Sequence, residues 1–298
     1  MARLMRAGRQ ALGAPPGGLG ARSLARLVMT SSLDERIAAR LDALDRSNLN
    51  EYGVDPFGFA PEEAKLYVGP AHWIYKHYFR VEARGADHIP DGRVLLVANH
   101  GGQIPMDGAM IIMAVLSERT VPRLPRAMVE HWAAELPFVS TWFARCGQVI
   151  GDPDSCRRLL NANEAVLVFP EGARGISKLW KDIYKLQDFG LGFMRLALET
   201  RTPIVPVAVV GHEEQSLALT NLKGVARVMG MPAFPLTLTG LPIPLPSRYH
   251  IEFGRPLYFS GDADDDDDVV ASQVAVVKST LQAMVDEGRK RRGGHIFR

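Results

Sequence analysis

The chain has 298 residues, enough for one large hydrophobic core or two small ones, with 47% hydrophobic residues, 23% charged residues and a formal net charge of +2. These values are ordinary for a globular protein, and a charge so near balance argues against a nucleic-acid partner. The two cysteines, Cys146 and Cys156, are too few for a disulfide framework and lack metal-ligand spacing, which fits a reducing compartment.

Residues 1–31 carry Arg3, Arg6, Arg9, Arg22 and Arg26 with no acid, a composition shared by transit peptides and disordered basic tails; the tail reading is adopted, with Met29 an alternative start. Ser32 and Glu35 have capping-box spacing, and Leu33, Ile37, Leu41 and Leu44 form one stripe, predicting a helix over 33–46. A loop with Gly53, Pro56 and Gly58 leads to a second helix over 61–79, bent at Gly69 and Pro70. Its Tyr67, Trp73, Tyr75, Tyr78 and Phe79 suit either a core or a membrane interface. Residues 32–79 thus form an N-terminal helical pair.

From Arg80, apolar runs at 93–98, 126–129, 165–169 and 204–210 alternate with helical segments at 107–117, 136–144, 154–162 and 190–200. The alternation predicts a single α/β domain over 80–298, with a mostly parallel central sheet flanked by helices. A last strand at 248–254 and a helix at 269–287 follow, joined by the acidic stretch Asp262 to Asp268, read as a solvated loop and helix start. Pro203 and Pro206 lack backbone donors, which places the 204–210 strand at an edge or in irregular pairing. Val228 to Ser247 has no charge, but Pro232, Pro235, Pro242, Pro244 and Pro246 rule out a membrane-spanning helix and leave contact with a bilayer surface as its use.

Three segments carry chemistry. Val94 to Ala98 runs out through Asn99, His100, Gly101 and Gly102 towards Asp107, so His100 lies at a strand's carboxyl end, where sites collect in open α/β sheets. An imidazole there acts as a general base when a carboxylate orients it, and Asp107 is the nearest in sequence. Taken alone, the pair is weak evidence, with a structural histidine as the alternative. Val166 to Phe169 ends in Pro170-Glu171-Gly172-Ala173-Arg174, where glycine lets the backbone turn and arginine can fork onto an oxyanion or phosphate; a surface ion pair is the alternative. The third segment is Thr202 to Val209.

In this order and at these separations the segments resemble the glycerolipid acyltransferase superfamily, over roughly residues 75 to 258. His100 with Asp107 looks like its catalytic motif, Phe169 to Arg174 like its acceptor-binding motif, and Pro203 to Val207 like its last block. The resemblance implies transfer of a fatty acyl group from acyl-CoA or acyl carrier protein to a lipid hydroxyl, with no cofactor, metal or protein nucleophile. It also implies acceptor contacts from Glu171, Gly172 and Arg174, with Gly101 and Gly102 lining the reacting centre. Lys178, Lys181 and Lys185 are candidate contacts for donor phosphates, against the plainer reading of a solvated basic loop. Water-insoluble substrates imply a peripheral protein on the cytoplasmic side of a membrane, touching it through the 61–79 helix or the 228–247 stretch.

Two departures refine the expectation. Six residues separate His100 from Asp107 where the usual motif is shorter, which is similar to the branch grouped with monoacylglycerol and diacylglycerol acyltransferases, as is Lys185 to Thr200. Gly147-Gln148-Val149-Ile150 is followed by Gly151-Asp152, without the arginine usual in members that use phosphate-bearing acceptors; an aspartate would repel a phosphate, so a neutral mono- or diacylglycerol is expected over lysophosphatidate. The residues leave open a thioesterase or CoA-independent transacylase using the same base, a lipid-binding module, and a metallophosphatase. Against the last, His72, His77, His88, His131, His212, His250 and His295 fall in no ligand-like cluster and read as surface or supporting residues.

Overall fold

The computed structural model describes residues 34–102, 106–130, 139–216, 218–222, 224, 235–237 and 244–293. The basic tail, Ser32 and Leu33, the Gln103–Pro105 part of the histidine loop, and most of the proline-rich stretch lie outside them. Helix α1, Glu35–Asp42, buries Ile37 and Leu41, and is capped by the side chain of Asp34, which accepts from the Arg36 amide at 3.0 Å. It stops short of the predicted residue 46 because Asp45 and then Asn50 draw the following amides of Ser47, Tyr52 and Val54 into side-chain turns. Helix α2, Pro61–Trp73, widens into a π-helical turn at Ile74–Tyr78, just after Pro70 has removed a donor from its ladder. Tyr75 and Phe79 of this segment enter the core, while Trp73 stays exposed.

The strands are β1 Glu82–Arg84, β2 Val94–Ala98, β3 Arg126–Val129, β4 Val149–Ile150, β5 Ala165–Val168, β6 Ile204–Val210 and, after a separate hairpin of β7 Ala218–Asn221 with β8 Pro235–Thr237, β9 His250–Phe253. Seven of them form one sheet in the order β1-β9-β6-β2-β5-β3-β4. The block from β6 to β4 is parallel throughout, and β9 with β1 runs the other way. Between the strands come α3 Met106–Glu118, α4 Val139–Arg145, α5 Pro153–Asn161, α6 Ala173–Ile176, α7 Gly192–Thr200 and α8 Asp267–Arg291.

Strand β2 shows why this is a covered sheet. All of its residues are buried, and with side chains alternating across the pleat, Val94, Leu96 and Ala98 meet α3 and the N-terminal helices. Leu95 and Val97 face the opposite way, against α5, α7 and α8. The acidic run ends as read: Asp266 precedes α8, and Asp267 and Asp268 occupy its first turn, where the helix dipole favours negative charge. The apolar stripe of α8, Val270, Val274, Val277, Leu281 and Val285, then lies along the sheet.

Of the two positions expected for the 204–210 strand, an edge or irregular pairing, the edge is corrected. β6 sits between β2 and β9. The Pro206 carbonyl accepts from the Gly254 amide at 2.8 Å, so the proline nitrogen faces the same side, just where β9 has ended at Phe253 and few ladder bonds are forfeited. A Cβ on Gly254 would lie 2.8 Å from the Pro206 ring, so glycine there makes room for it.

Candidate active site

Because β2, β5 and β6 are adjacent and parallel, their carboxyl ends bring three turns to one edge: Asn99 to Gly102, Phe169 to Arg174, and Gly211 to Ser216. Asn99 continues the β2–β6 ladder with its side chain, donating to the Val209 carbonyl at 2.9 Å and accepting from the Val209 amide at 2.8 Å. This holds the chain extended up to His100.

The His100 Nδ1 lies 2.7 Å from Oδ2 of Asp107, which projects from the first turn of α3. Asp107 is fully buried, and His100 is only 9% exposed. The carboxylate also accepts from the amides of Gly101 at 3.2 Å and Gly108 at 2.8 Å. Burial pushes its pKa up, but the charge and hydrogen bond of His100, the charge of His212 and the Gly108 amide outweigh that and hold it below the usual carboxylate value. An ionised carboxylate only accepts, so the His100 proton sits on Nδ1 and the Nε2 lone pair is left for chemistry. The ring lies against Phe169, centroids 4.2 Å apart and planes at 27°, which restricts its rotation.

The predicted residues divide into two groups. Glu171 is nine-tenths buried or more and holds the loop: Oε1 accepts from the His100 amide at 2.9 Å, and Oε2 from the Gln187 amide at 2.8 Å, with Lys178 Nζ at 2.9 Å. Lys178 is therefore turned inward, its other contact being Glu213 at 3.1 Å, and does not reach out as a phosphate clamp would. Burial lowers its pKa, but the charges of Glu213 and Glu171 and the hydrogen bonds to them outweigh that and raise it above the ordinary lysine value. Gly101 and Gly102 allow close packing: a Cβ on the first would lie 2.5 Å from Glu213 Cγ, and one on the second, where φ is +79°, 2.3 Å from Gln215 Nε2. Gly172, at φ +54°, starts α6, and a Cβ on Gly175 would lie 2.8 Å from His100 Cβ. Arg174, Lys181 and Lys185 stay at the surface, Arg174 donating to the Asp188 carbonyl at 2.9 Å and Lys185 lying 3.6 Å from Asp182.

Asp152, read as a repulsive charge, has a local task. Its side chain caps α5, accepting from the Ser155 amide at 2.8 Å. His212, read as a surface or supporting residue, is fully buried and lies 3.5 Å from Asn99 Nδ2; burial, aided by the charges of Lys178 and His100, lowers its pKa to about 3 against the pull of Asp107. The sequence contained a usable signal for it: His212-Glu213-Glu214-Gln215 follows an apolar strand that runs parallel to the His100 strand, so the four polar residues had to emerge at the same edge.

Comparison with known proteins bears on the family and the fold. A model of the Acyltransferase family matches residues 80–210. An uncharacterized protein of Mycobacterium leprae is 38% identical over 265 residues, covering 85% of this chain and 72% of that protein. The 1-acyl-sn-glycerol-3-phosphate acyltransferase alpha of Bos taurus is 29% identical over 153 residues, so that the chain matches about half of it, 49%, through 48% of its own length. The crystal structure of the 1-acyl-sn-glycerophosphate acyltransferase PlsC from Thermotoga maritima has the same fold, with a TM-score of 0.50 at 17% identity over 90% of this chain and 98% of that one. With a family model matching residues 80–210 and the same fold as a solved acyltransferase, the chain belongs to the Acyltransferase family.

Proposed function

We propose that the protein transfers a fatty acyl group from a thioester donor, acyl-CoA or acyl carrier protein, to the hydroxyl of a 1-acylglycerol phosphate or a close lysophospholipid relative, with His100 as general base. The observation that carries this reading is the 2.7 Å His100–Asp107 bond at the sheet's carboxyl edge. As the acceptor oxygen attacks the thioester carbonyl, His100 Nε2 takes its proton and the buried Asp107 carboxylate stabilises the imidazolium. When the tetrahedral adduct collapses, the C–S bond breaks and the same proton passes to the leaving sulfur, so the imidazole returns neutral. A base so positioned contributes about 10²- to 10⁴-fold. A cysteine nucleophile is disfavoured, since burial, with a nearby carboxylate, pushes the Cys146 thiol up to about 12 and the Cys156 thiol up to about 11.

The neutral acceptor expected from the motif spacing and from Asp152 finds no support. Relatives with a named activity, among them those from Bos taurus and Mycoplasma pneumoniae, are acyltransferases of acylglycerol phosphate, the second a probable one. The repulsion ascribed to Asp152 is weakened because its carboxylate caps α5. Arg174, exposed beside the His100 loop, suits the acceptor phosphate, and Lys181 and Lys185 suit the donor phosphates. A groove of about 440 Å³ at the same sheet edge, lined by Phe57, Val129, Phe143, Ala144, Val149 and Ile150 among others, suits an acyl tail. Access to lipid is peripheral in this reading, supported by the exposed Trp73, Trp142 and Trp180; among the described residues no helix is long and apolar enough to cross a membrane.

The test is labelled acyl-CoA offered with lysophosphatidate, monoacylglycerol or no acceptor. Acylated lysophosphatidate is expected, with at least a 100-fold loss on His100→Ala, the order of a general base's worth. Release of free fatty acid without esterification sinks the transferase reading, and esterification of monoacylglycerol alone sinks the phosphate acceptor. Arg174→Ala should raise KM for lysophosphatidate by roughly 10-fold, the value of one charge-assisted hydrogen bond.

A further inference from the structure

Four consecutive buried polar residues, His212 to Gln215, follow the central strand β6. Polar groups at such depth persist only with partners, and here nearly every partner leads to the catalytic loop or to a segment that holds it. Gln215 Nε2 donates to the Gly102 carbonyl at 2.8 Å, and its Oε1 accepts from the Tyr249 hydroxyl at 2.5 Å. Glu213 takes the Tyr184 amide at 2.8 Å on one oxygen and Lys178 at 3.1 Å on the other, while the far side of Lys178 holds Glu171, which grips the His100 amide. Glu214 continues outward to the Tyr184 hydroxyl at 2.7 Å and to Arg292 at the end of α8 at 2.5 Å. Among the described residues of this turn, His212 Nδ1 and Ser216 Oγ have no hydrogen-bond partner.

We infer that Glu213 and Lys178 are positioning residues for the transfer: with Glu171 they form a charged brace across β5 and β6 that holds the His100 backbone at the height where Nε2 meets the acceptor. The absence of a side chain at Gly101 fits this role, since it lets Glu213 press directly on the loop. The brace depends on Glu213 being ionised. Burial raises its pKa to about 7 despite Lys178 and the Tyr184 amide, with the Glu171 charge adding to the rise. The groups around Glu213 are Lys178, Tyr184, Glu171, His212 and the His100 loop, with the Glu214–Arg292 pair next along the chain. Protonation of Glu213 leaves Lys178 with one carboxylate and loosens the loop from the β6 side.

This inference rests on His100 being the base. On the acid side of neutrality, kcat of the wild-type enzyme should then carry the ionisation of Glu213, falling as that carboxylate takes up a proton. Glu213→Gln should remove that ionisation from the pH profile and lower the plateau kcat by about 10- to 100-fold, the cost of a misplaced catalytic group, with KM for both substrates nearly unchanged. Lys178→Met should lose as much alone as in combination with Glu213→Gln, since both break one brace. A pH profile of kcat that Glu213→Gln leaves unchanged, or a folded Glu213→Gln with wild-type kcat, overturns the brace; Lys178→Met reads the same brace from its other end, so a Glu213 variant that fails to fold does not block the test. His100→Ala in parallel separates the two readings: retained turnover removes the base itself, whereas an inactive His100→Ala beside an unaffected Glu213→Gln removes only the brace.

Discussion

Replacing Asp107 by Asn probes the site most directly, because the change is one atom in a fully buried position. The carboxylate now accepts three hydrogens, from His100 Nδ1 and the Gly101 amide on Oδ2 and from the Gly108 amide on Oδ1. An amide has only one acceptor oxygen. With that oxygen towards Gly108, the NH₂ group faces His100 and selects the tautomer with its proton on Nε2, which cannot accept from a substrate; it also meets the Gly101 amide donor to donor. With the oxygen turned to His100, the donor clash moves to Gly108. Either arrangement strands a buried donor, costing about 1 to 3 kcal/mol of stability, and the first removes the base, so kcat should fall by about 10² to 10⁴. Thiol release from acyl-CoA followed against time, beside urea denaturation, measures both. A folded Asp107→Asn with kcat within a few-fold of wild type would refute the assignment of Asp107 as the orienting group. Acid should act in the same direction as the substitution: the folded-state pKa of Asp107 is depressed, so its stabilisation is complete above the unfolded value of about 3.9 and is lost as pH falls through the lower folded value.

Leu281→Ala should destabilise by about 2 to 5 kcal/mol, since Leu281 is fully buried between α8 and the sheet, with the midpoint of urea unfolding as the readout. Gly102→Ala should abolish turnover and lower the melting temperature, because a Cβ there meets Gln215 Nε2 at 2.3 Å in a left-handed backbone; near-normal activity would mean that the loop yields easily. Wild-type stability should change little between pH 7 and 5 from these groups: His212, held to about 3 by burial, loses stability as the unfolded chain protonates below 6.5, while Glu213, raised to about 7, gains it by taking up a proton when folded. Glu213→Gln removes the second effect and should expose the first, a loss of about 2 kcal/mol between pH 6.5 and 5. Mixing with vesicles should shift tryptophan emission to the blue if the exposed Trp73, Trp142 and Trp180 enter an interface, and an unchanged spectrum would count against peripheral binding through them.

The architecture explains how so short a set of contacts can serve catalysis. His100, Glu171 and Glu213 come from the ends of three neighbouring strands whose central residues are wholly buried, so their backbones move only if the core does. The charged groups then adjust the loop within that rigid frame.

Local pattern in the chain was enough to determine the α/β class and five of the seven strands of the main sheet, because alternation and apolar runs are local properties. The pairing of His100 with Asp107 was a weak local signal that the family resemblance raised to an expectation, and the structure gave its geometry. β1 and β4 escaped because, at three and two residues, they are too short to show a period. Pro206 misled for the reverse reason: its missing donor suggested an edge, and only the end of β9 beside it decided that a central strand could hold a proline. The roles of charged residues were less legible still. Glu171 and Lys178 looked like surface contacts for substrate, and Asp152 like a charge facing it, because sequence reports that a side chain is charged but not what lies across from it. Strand order decided that, by setting the turns after β2, β5 and β6 side by side and burying Glu171, Lys178 and Glu213 against one another behind the histidine.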